Sequence, residues 1–256
     1  MKKLLVVISV AVSCIVVHAS KSPAHAPHDV VADIQLSPTF SSDKTIFALV
    51  YWKLLRSTDG GYEWYFPSRG LCSHHKISLT LSPAFSFDKT LFVSCVDGEI
   101  HRSQDAGQSW IRCSGGLPKL GRFIYLVTSP HFKIDHTVLA LDAQGDIYQT
   151  EDGGEQWSRV FHQKCTITAF DWVDNLVMFG TDAGMLHISE NGGTTWKKYG
   201  QLPTGQKITC LELPPRFSLD KLFFIGIQRL CRRPAGHLSM SAYSDILELG
   251  MPMDAS

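Results

Sequence analysis

Ser103-Gln-Asp105-Ala-Gly107-Gln-Ser-Trp110 is one of four copies of a single pattern in this chain. The others are Ser57-Thr-Asp59-Gly-Gly61-Tyr-Glu-Trp64, Thr150-Glu-Asp152-Gly-Gly154-Glu-Gln-Trp157 and Ser189-Glu-Asn191-Gly-Gly193-Thr-Thr-Trp196. Their shared form is Ser/Thr-x-Asp/Asn-x-Gly-x-x-Trp, and the tryptophans follow one another at 46, 47 and 39 residues. A period of that length in a strand-rich chain signals a radial β-architecture with one four-stranded blade per repeat.

Each residue of the pattern has a physical reason. An apolar stretch precedes every copy and the tryptophan opens another, so the pattern joins two antiparallel strands. Gly61, Gly107, Gly154 and Gly193 supply the positive φ that a tight connection needs. The Asp or Asn side chain and the Ser or Thr hydroxyl accept bonds from backbone N–H groups of the same turn. The tryptophan buries a large ring, and its indole N–H needs one partner. The alternative is that Asp59, Asp105 and Asp152 are catalytic acids. Turn residues recurring once per blade cannot all share one active site, so the pattern is read as structural and no catalytic residue is assigned to it.

A second pattern opens each unit. Ser37-Pro38-x-Phe40-x-x-Asp43-x-Thr45, Ser82-Pro83-x-Phe85-x-x-Asp88-x-Thr90 and Ser129-Pro130-x-Phe132-x-x-Asp135-x-Thr137 match closely, and Pro214-Pro215-x-Phe217-x-x-Asp220 is a weaker copy. The missing copy falls at 170–175, and its deletion accounts for the one short tryptophan interval. Each unit then divides into four strands rich in Val, Ile, Thr, Phe and Tyr. In the first they are expected at 30–36, 45–51, 53–57 and 63–66. The fold class is therefore all-β, a β-propeller of four-stranded antiparallel blades. Four repeats are clear (blades near 30–68, 75–114, 122–162 and 164–200) and a fifth, at 206–228, is incomplete. All four repeat tryptophans are expected to be largely buried. From 229 to 256 the pattern is gone. Either a small four- or five-bladed propeller closes irregularly there, or this is a truncated or alternatively ended version of a longer protein.

The pattern resembles the Asp-box, or bacterial neuraminidase repeat, of sialidases, sortilin-type receptors, some xyloglucan-cleaving enzymes and a photosystem assembly factor. That resemblance implies the propeller fold, and for function it implies two classes, glycoside hydrolase or noncatalytic binding module. Sialidases carry three substrate-gripping arginines, a Tyr/Glu pair and a Phe/Tyr-Arg-Ile-Pro segment. That segment is absent and no arginine precedes Arg56; Arg69 and Arg122 could contribute, but the third arginine and the Tyr/Glu pair cannot be assigned. The xyloglucan-cleaving relatives place their carboxylates between two propellers, which 256 residues cannot build.

Met1-Lys2-Lys3, an apolar run at 4–17 and Val17-His18-Ala19 have the form of a signal peptide (1–19), followed by a Pro/His/Ala-rich leader (20–29). The expected localisation is secreted or periplasmic, without a transmembrane anchor, because the apolar run is short. Cleavage after Ala19 leaves Cys72, Cys95, Cys113, Cys165, Cys210 and Cys231. An exported chain can pair them as disulfides, and the spacing leaves both the pairing and the number open. His74-His75 and His25-x-x-His28 lack a closed ligand set, so no metal is expected, and no cofactor.

With 24 basic and 24 acidic residues the net charge is zero, which argues against nonspecific nucleic-acid binding. Placement is more informative. The connections into each innermost strand, opposite the tryptophan turns, end in Lys76, Arg122, Lys164 and Lys207, with Arg69 nearby. Such a ring is a candidate site for an anionic ligand. The acids of the same rim, Asp97, Glu99, Asp146 and Asp182, sit in Gly-containing turns and read as turn residues. The function expected is an exported, noncatalytic module that binds a protein or an anionic glycan. The alternative is a divergent glycoside hydrolase.

Overall fold

The structure, a computed structural model, describes residues 30–67, 69–119, 123–202, 206–214, 222–228 and 244–250. The expected signal peptide and leader, Arg122, and residues 229–243 and 251–256 of the divergent segment lie outside the described residues. No helix among the described residues is long and apolar enough to cross a membrane.

Five antiparallel meanders follow one another. Blade one holds β1 (Val31–Leu36), α1 (Phe40–Asp43), β2 (Ile46–Val50) and β3 (Lys53–Ser57). Blade two holds β4 (Lys76–Leu81), α2 (Phe85–Asp88), β5 (Leu91–Cys95), β6 (Ile100–Ser103) and β7 (Ile111–Arg112). Blade three holds β8 (Phe123–Thr128), α3 (Phe132–Asp135), β9 (Val138–Asp142), β10 (Asp146–Thr150) and β11 (Ser158–His162). Blade four holds β12 (Ile167–Val173), β13 (Leu176–Thr181), β14 (Met185–Ser189) and β15 (Lys197–Gln201). Blade five holds β16 (Lys207–Glu212), β17 (Leu222–Gln228) and β18 (Ser244–Gly250). Strands pair in sequence order within every sheet, and the middle three sheets have four strands.

Apolar cores lie between successive blades, because each sheet is apolar on both faces and needs a neighbour on each. Phe47, Leu49 and Leu54 of blade one meet Leu79, Leu91 and Val93 of blade two. Phe92 and Ile100 meet Phe123, Leu126 and Val138. Leu139, Leu141 and Ile147 meet Ile167, Val177 and Phe179. Met178, Leu186 and Ile188 meet Ile208, Phe223, Ile225 and Ile227.

The tryptophan turn is a compact hydrogen-bonded unit. In blade two, Ser103 Oγ accepts from Gly107 N (2.8 Å) and donates to Asp105 Oδ1 (2.7 Å). The Asp105 carboxylate accepts in turn from Ser109 N (2.8 Å). Gly107 sits at φ 86° with the Phe47 ring only 3.3 Å from where a Cβ would be, so both conformation and space require glycine. Ser57, Thr150 and Ser189 accept from Gly61, Gly154 and Gly193 in the same way.

The Ser-Pro-x-Phe segments form single helical turns, which the strand reading did not anticipate. Ser82 Oγ and Ser129 Oγ donate to Asp88 and Asp135 (2.5 Å each), and the other carboxylate oxygen accepts from Thr90 N or Thr137 N (2.9 Å). Each turn ends on a left-handed residue, Lys44, Lys89 or His136. The carbonyls of those residues accept from Gly60, Ala106 and Gly153 N, all at 3.0 Å. These bonds tie the two motifs together on one rim. Where the segment is deleted, β12 runs into a two-residue turn at Asp174-Asn175, and the buried Trp172 joins the core between blades three and four.

Three expectations change. The fourth strand of blade one is reduced to a single bridge between Arg56 and Tyr65. Trp110 and Trp157 are 4% and 5% exposed, Trp196 is half-buried, and Trp64 is 40% exposed. The reason is positional: Trp110 packs against blade one, whereas the face of blade one turned away from blade two leaves Ile34 and Leu36 exposed, so among the described residues nothing there covers Trp64. Finally, β18 pairs along all of β17, from Leu222–Gly250 to Gln228–Ser244. The fifth sheet therefore extends past residue 228, into a segment that lacks the landmark turn.

Candidate functional site

The rim opposite the tryptophan turns carries the connections from second to third strand and from outer strand to the next inner strand. Backbone bonds join them: Lys76 N to Trp52 O (3.1 Å), Val96 N to His75 O (2.8 Å), Asp182 N to Thr166 O (3.0 Å) and Leu202 N to Gly184 O (2.8 Å). These four bonds place the predicted cationic connections beside the turns between second and third strands.

The cations differ in what they do there. Lys76 is buried, and its Nζ donates to the carbonyls of Cys72 (2.7 Å) and His74 (2.8 Å). Burial pushes its pKa down, partly offset by Asp97, and its charge is spent bracing the 72–76 loop. Arg69 is exposed, but its carbonyl accepts from Trp110 N, which places it beside the outer strand of blade two. Lys207 is exposed at the start of β16. Lys164 is exposed and lines a cavity of about 610 Å³ between blades three and four.

That cavity is also lined by Ala143, Cys165, Ala183 and Met185, and by Asp146, His162 and Asp182. Its acids are engaged. Asp146 contacts His162 Nδ1 at 2.5 Å and Arg159 at 3.6 Å, and Asp182 accepts from Thr166 N at 3.3 Å. Burial, with Asp182 nearby, pushes the Cys165 thiol up to about 11, so it is no nucleophile at neutral pH. The acids of blade two are likewise tied: Asp97 to His74 at 2.5 Å, and Glu99 to Arg112 and His101 at 3.1 Å.

A second cavity, of about 440 Å³, lies beside blade one and is lined by Lys53, Leu54, Phe66, Pro67, Leu71, Cys72, Ser73 and Lys76. Sequence reasoning missed it, because it depends on a loop fixed by a disulfide between Cys72 and Cys95. The two sulfurs and a ring nitrogen of His101 lie within 4.8 Å of one another. The bridge consumes both thiolates, so the cluster offers a cation no thiolate ligand as it stands. Cys113, Cys165 and Cys210 are free.

No protein-family model matches this chain, and no curated protein matches it by sequence. Solved structures do. A GH74 xyloglucanase from Xanthomonas campestris superposes with a TM-score of 0.63 at 15% identity, over 85% of this chain and 36% of that one. YCF48 bound to D1 peptide gives 0.57 at 16% identity, over 77% and 62%. The β-propeller domain of Cps50 (Swd1) from Myceliophteria thermophila gives 0.55 at 12%, over 86% and 71%. The chain thus spans 36% of the xyloglucanase and 62% of the YCF48 chain. Identities this low carry the fold alone, and the fold they carry agrees with the five meanders and their inter-blade cores. The chain is a β-propeller protein built of antiparallel blades, three of whose five described sheets have four strands.

Proposed function

We propose that this is an exported, noncatalytic Asp-box propeller that docks an anionic partner, a protein segment or an acidic glycan, on the rim opposite its tryptophan turns. The observation that carries the reading is the cavity between blades three and four. Its lining includes Ala143, Ala183 and Met185, its acids are engaged by His162, Arg159 and Thr166, and among the described residues no acid pairs with Lys164. Glycoside hydrolysis needs two carboxylates free to act as acid and base or nucleophile. An Asp146 engaged by both His162 and Arg159 is poorly suited to either role. YCF48, which shares the fold, is bound to a peptide, which supports a peptide-like partner. The Cys72–Cys95 bridge supports export, since disulfides persist in oxidising compartments.

The test is a peptide and glycan array read with wild type and Lys164→Glu. Anionic ligands should bind the variant several-fold more weakly, binding should fall with added salt, and melting should stay nearly unchanged. Equal binding by both proteins refutes the site. Turnover of xyloglucan oligosaccharides or sialosides by the wild type promotes the hydrolase reading instead. N-terminal sequencing of the exported product should begin at Ser20.

A further inference from the structure

The β2–β3 hairpin of blade one breaks a rule that the other blades keep. The matching turns of blades two, three and four each place a glycine at positive φ: Gly98 (84°), Gly145 (90°) and Gly184 (75°). Blade one closes from Val50 to Lys53 through Tyr51 and Trp52, at φ 52° and 64°. A two-residue turn with both φ positive strongly favours Asn-Gly, and bulky residues adopt it only against their own preference. Burial does not compensate here, because Tyr51 is 54% and Trp52 41% exposed. Strain stored at exposed side chains is a pointer to function.

What surrounds the turn supplies the chemistry. Trp52 stacks on the exposed His75 ring at 5.8 Å and 16°. Its chain neighbour Lys53, and Lys76 next to His75, lead into the 440 Å³ cavity, whose wall is Leu54, Phe66, Pro67 and Leu71. Phe66 is 61% exposed and lies 5.7 Å from Lys53 Nζ. Among the described residues no carboxylate lines this cavity, and Lys76 is occupied by its two carbonyls, leaving Lys53 as the positive charge a ligand meets.

We propose that Tyr51, Trp52 and Phe66 form an aromatic platform for an extended, acidic, proline-containing peptide, with a proline or aliphatic residue in the cavity and a carboxylate at Lys53. An aromatic-lined groove suits a polyproline-type segment, which arrives already ordered and offers flat apolar faces. A sugar would demand more directional polar partners than Ser73 and two lysines provide. This deepens the reading of the rim as a binding surface and rests on it, at a separate place.

The experiment exploits the strain. Tyr51→Asn with Trp52→Gly gives the turn its preferred residues while removing both rings. Wild type, this double variant, Phe66→Ala, Lys53→Glu and Lys164→Glu are measured on an array of acidic and basic proline-containing decapeptides, with cello-oligosaccharides alongside. The double variant should melt about 2–4 °C higher and lose at least about tenfold in affinity for the acidic peptides. Phe66→Ala should lose similarly, and Lys53→Glu should shift preference toward basic peptides. A double variant that melts lower makes the rings structural and overturns the proposal, as do undiminished binding, binding of the sugars in place of peptides, or no peptide bound at all. Loss on Lys164→Glu without loss on the double variant leaves the wider reading standing and removes this one.

Discussion

Replacing Trp110 and Trp64 by alanine, one at a time, tests whether each repeat tryptophan is clamped by the blade before it. Trp110 is 4% exposed against Phe47, Leu49 and Leu54, and its indole N–H donates to Gly107 O at 3.1 Å. Trp64 makes the equivalent bond to Gly61 O at 2.9 Å but is 40% exposed. The turn chemistry is thus the same and only the burial differs. That difference is about 90 Å² of a side chain of roughly 250 Å², or ~2 kcal/mol at about 25 cal/mol per Å². Trp110→Ala also leaves a cavity between two blades, so its total should reach about 3–5 kcal/mol. Trp64→Ala leaves no closed void and should cost roughly 2 kcal/mol less. For a chain of this size 1 kcal/mol moves Tm by about 2–4 °C, so the two variants should melt several degrees apart. Urea titration followed by circular dichroism supplies the free energies. If Trp64→Ala destabilises as much as Trp110→Ala, inter-blade packing is not what holds these rings, and the account of the fold fails at its main joint.

Three further outcomes follow from local contacts. For Asp105, slight burial acts upward, but bonds from Ser109 and Ser103 outweigh it and hold the carboxyl below its ordinary value; Asp105→Ala should therefore cost about 1 kcal/mol, and the wild-type contribution should fade as pH drops, read by melting at pH 7 and pH 3. Burial pushes Asp171 up to about 6 despite bonds from Leu213 and Trp172 N, so its folded pKa lies above the unfolded one. Its contribution is complete below about pH 4 and is lost as pH rises through about 6; Asp171→Asn should flatten that decline, and an unchanged pH profile would refute the assignment. Reducing Cys72–Cys95, which closes 23 residues, should cost ~3 kcal/mol, visible as a lower Tm with a dithiol present and no change in a Cys72→Ser variant.

The fold was readable because its signals are local and repeated. Serine, carboxylate, glycine and tryptophan at fixed offsets specify a turn without reference to the rest of the chain. Four such turns then fix where the third strand of each of the first four sheets ends. The short Asp174-Asn175 turn was readable for the same reason, as a gap in a regular series. What failed was whatever depends on a neighbour. The exposure of Trp64 goes with the exposed face of blade one that carries Ile34 and Leu36, and no residue near Trp64 in the sequence reports it. Pairing of β18 with β17 follows from an edge left open by β17, and no landmark turn announces it.

The candidate site was less legible because charge in a sequence carries no record of what surrounds it. Lys76 and Lys164 occupy comparable positions in the repeat, yet one is buried under two carbonyls and the other is exposed. Nothing in the spacing separates them; the difference comes from a loop pinned by Cys72–Cys95, a bridge whose partners lie 23 residues apart. Tyr51 and Trp52 present the opposite case. Their signal was in the sequence, as the one second-to-third-strand turn among the first four blades without a glycine, but it becomes legible only when the other three turns supply the standard. A repeat protein thereby provides its own control. Tyr51 and Trp52 depart from the repeat at exposed positions, and the Asn-Gly variant measures whether that departure comes at the expense of stability.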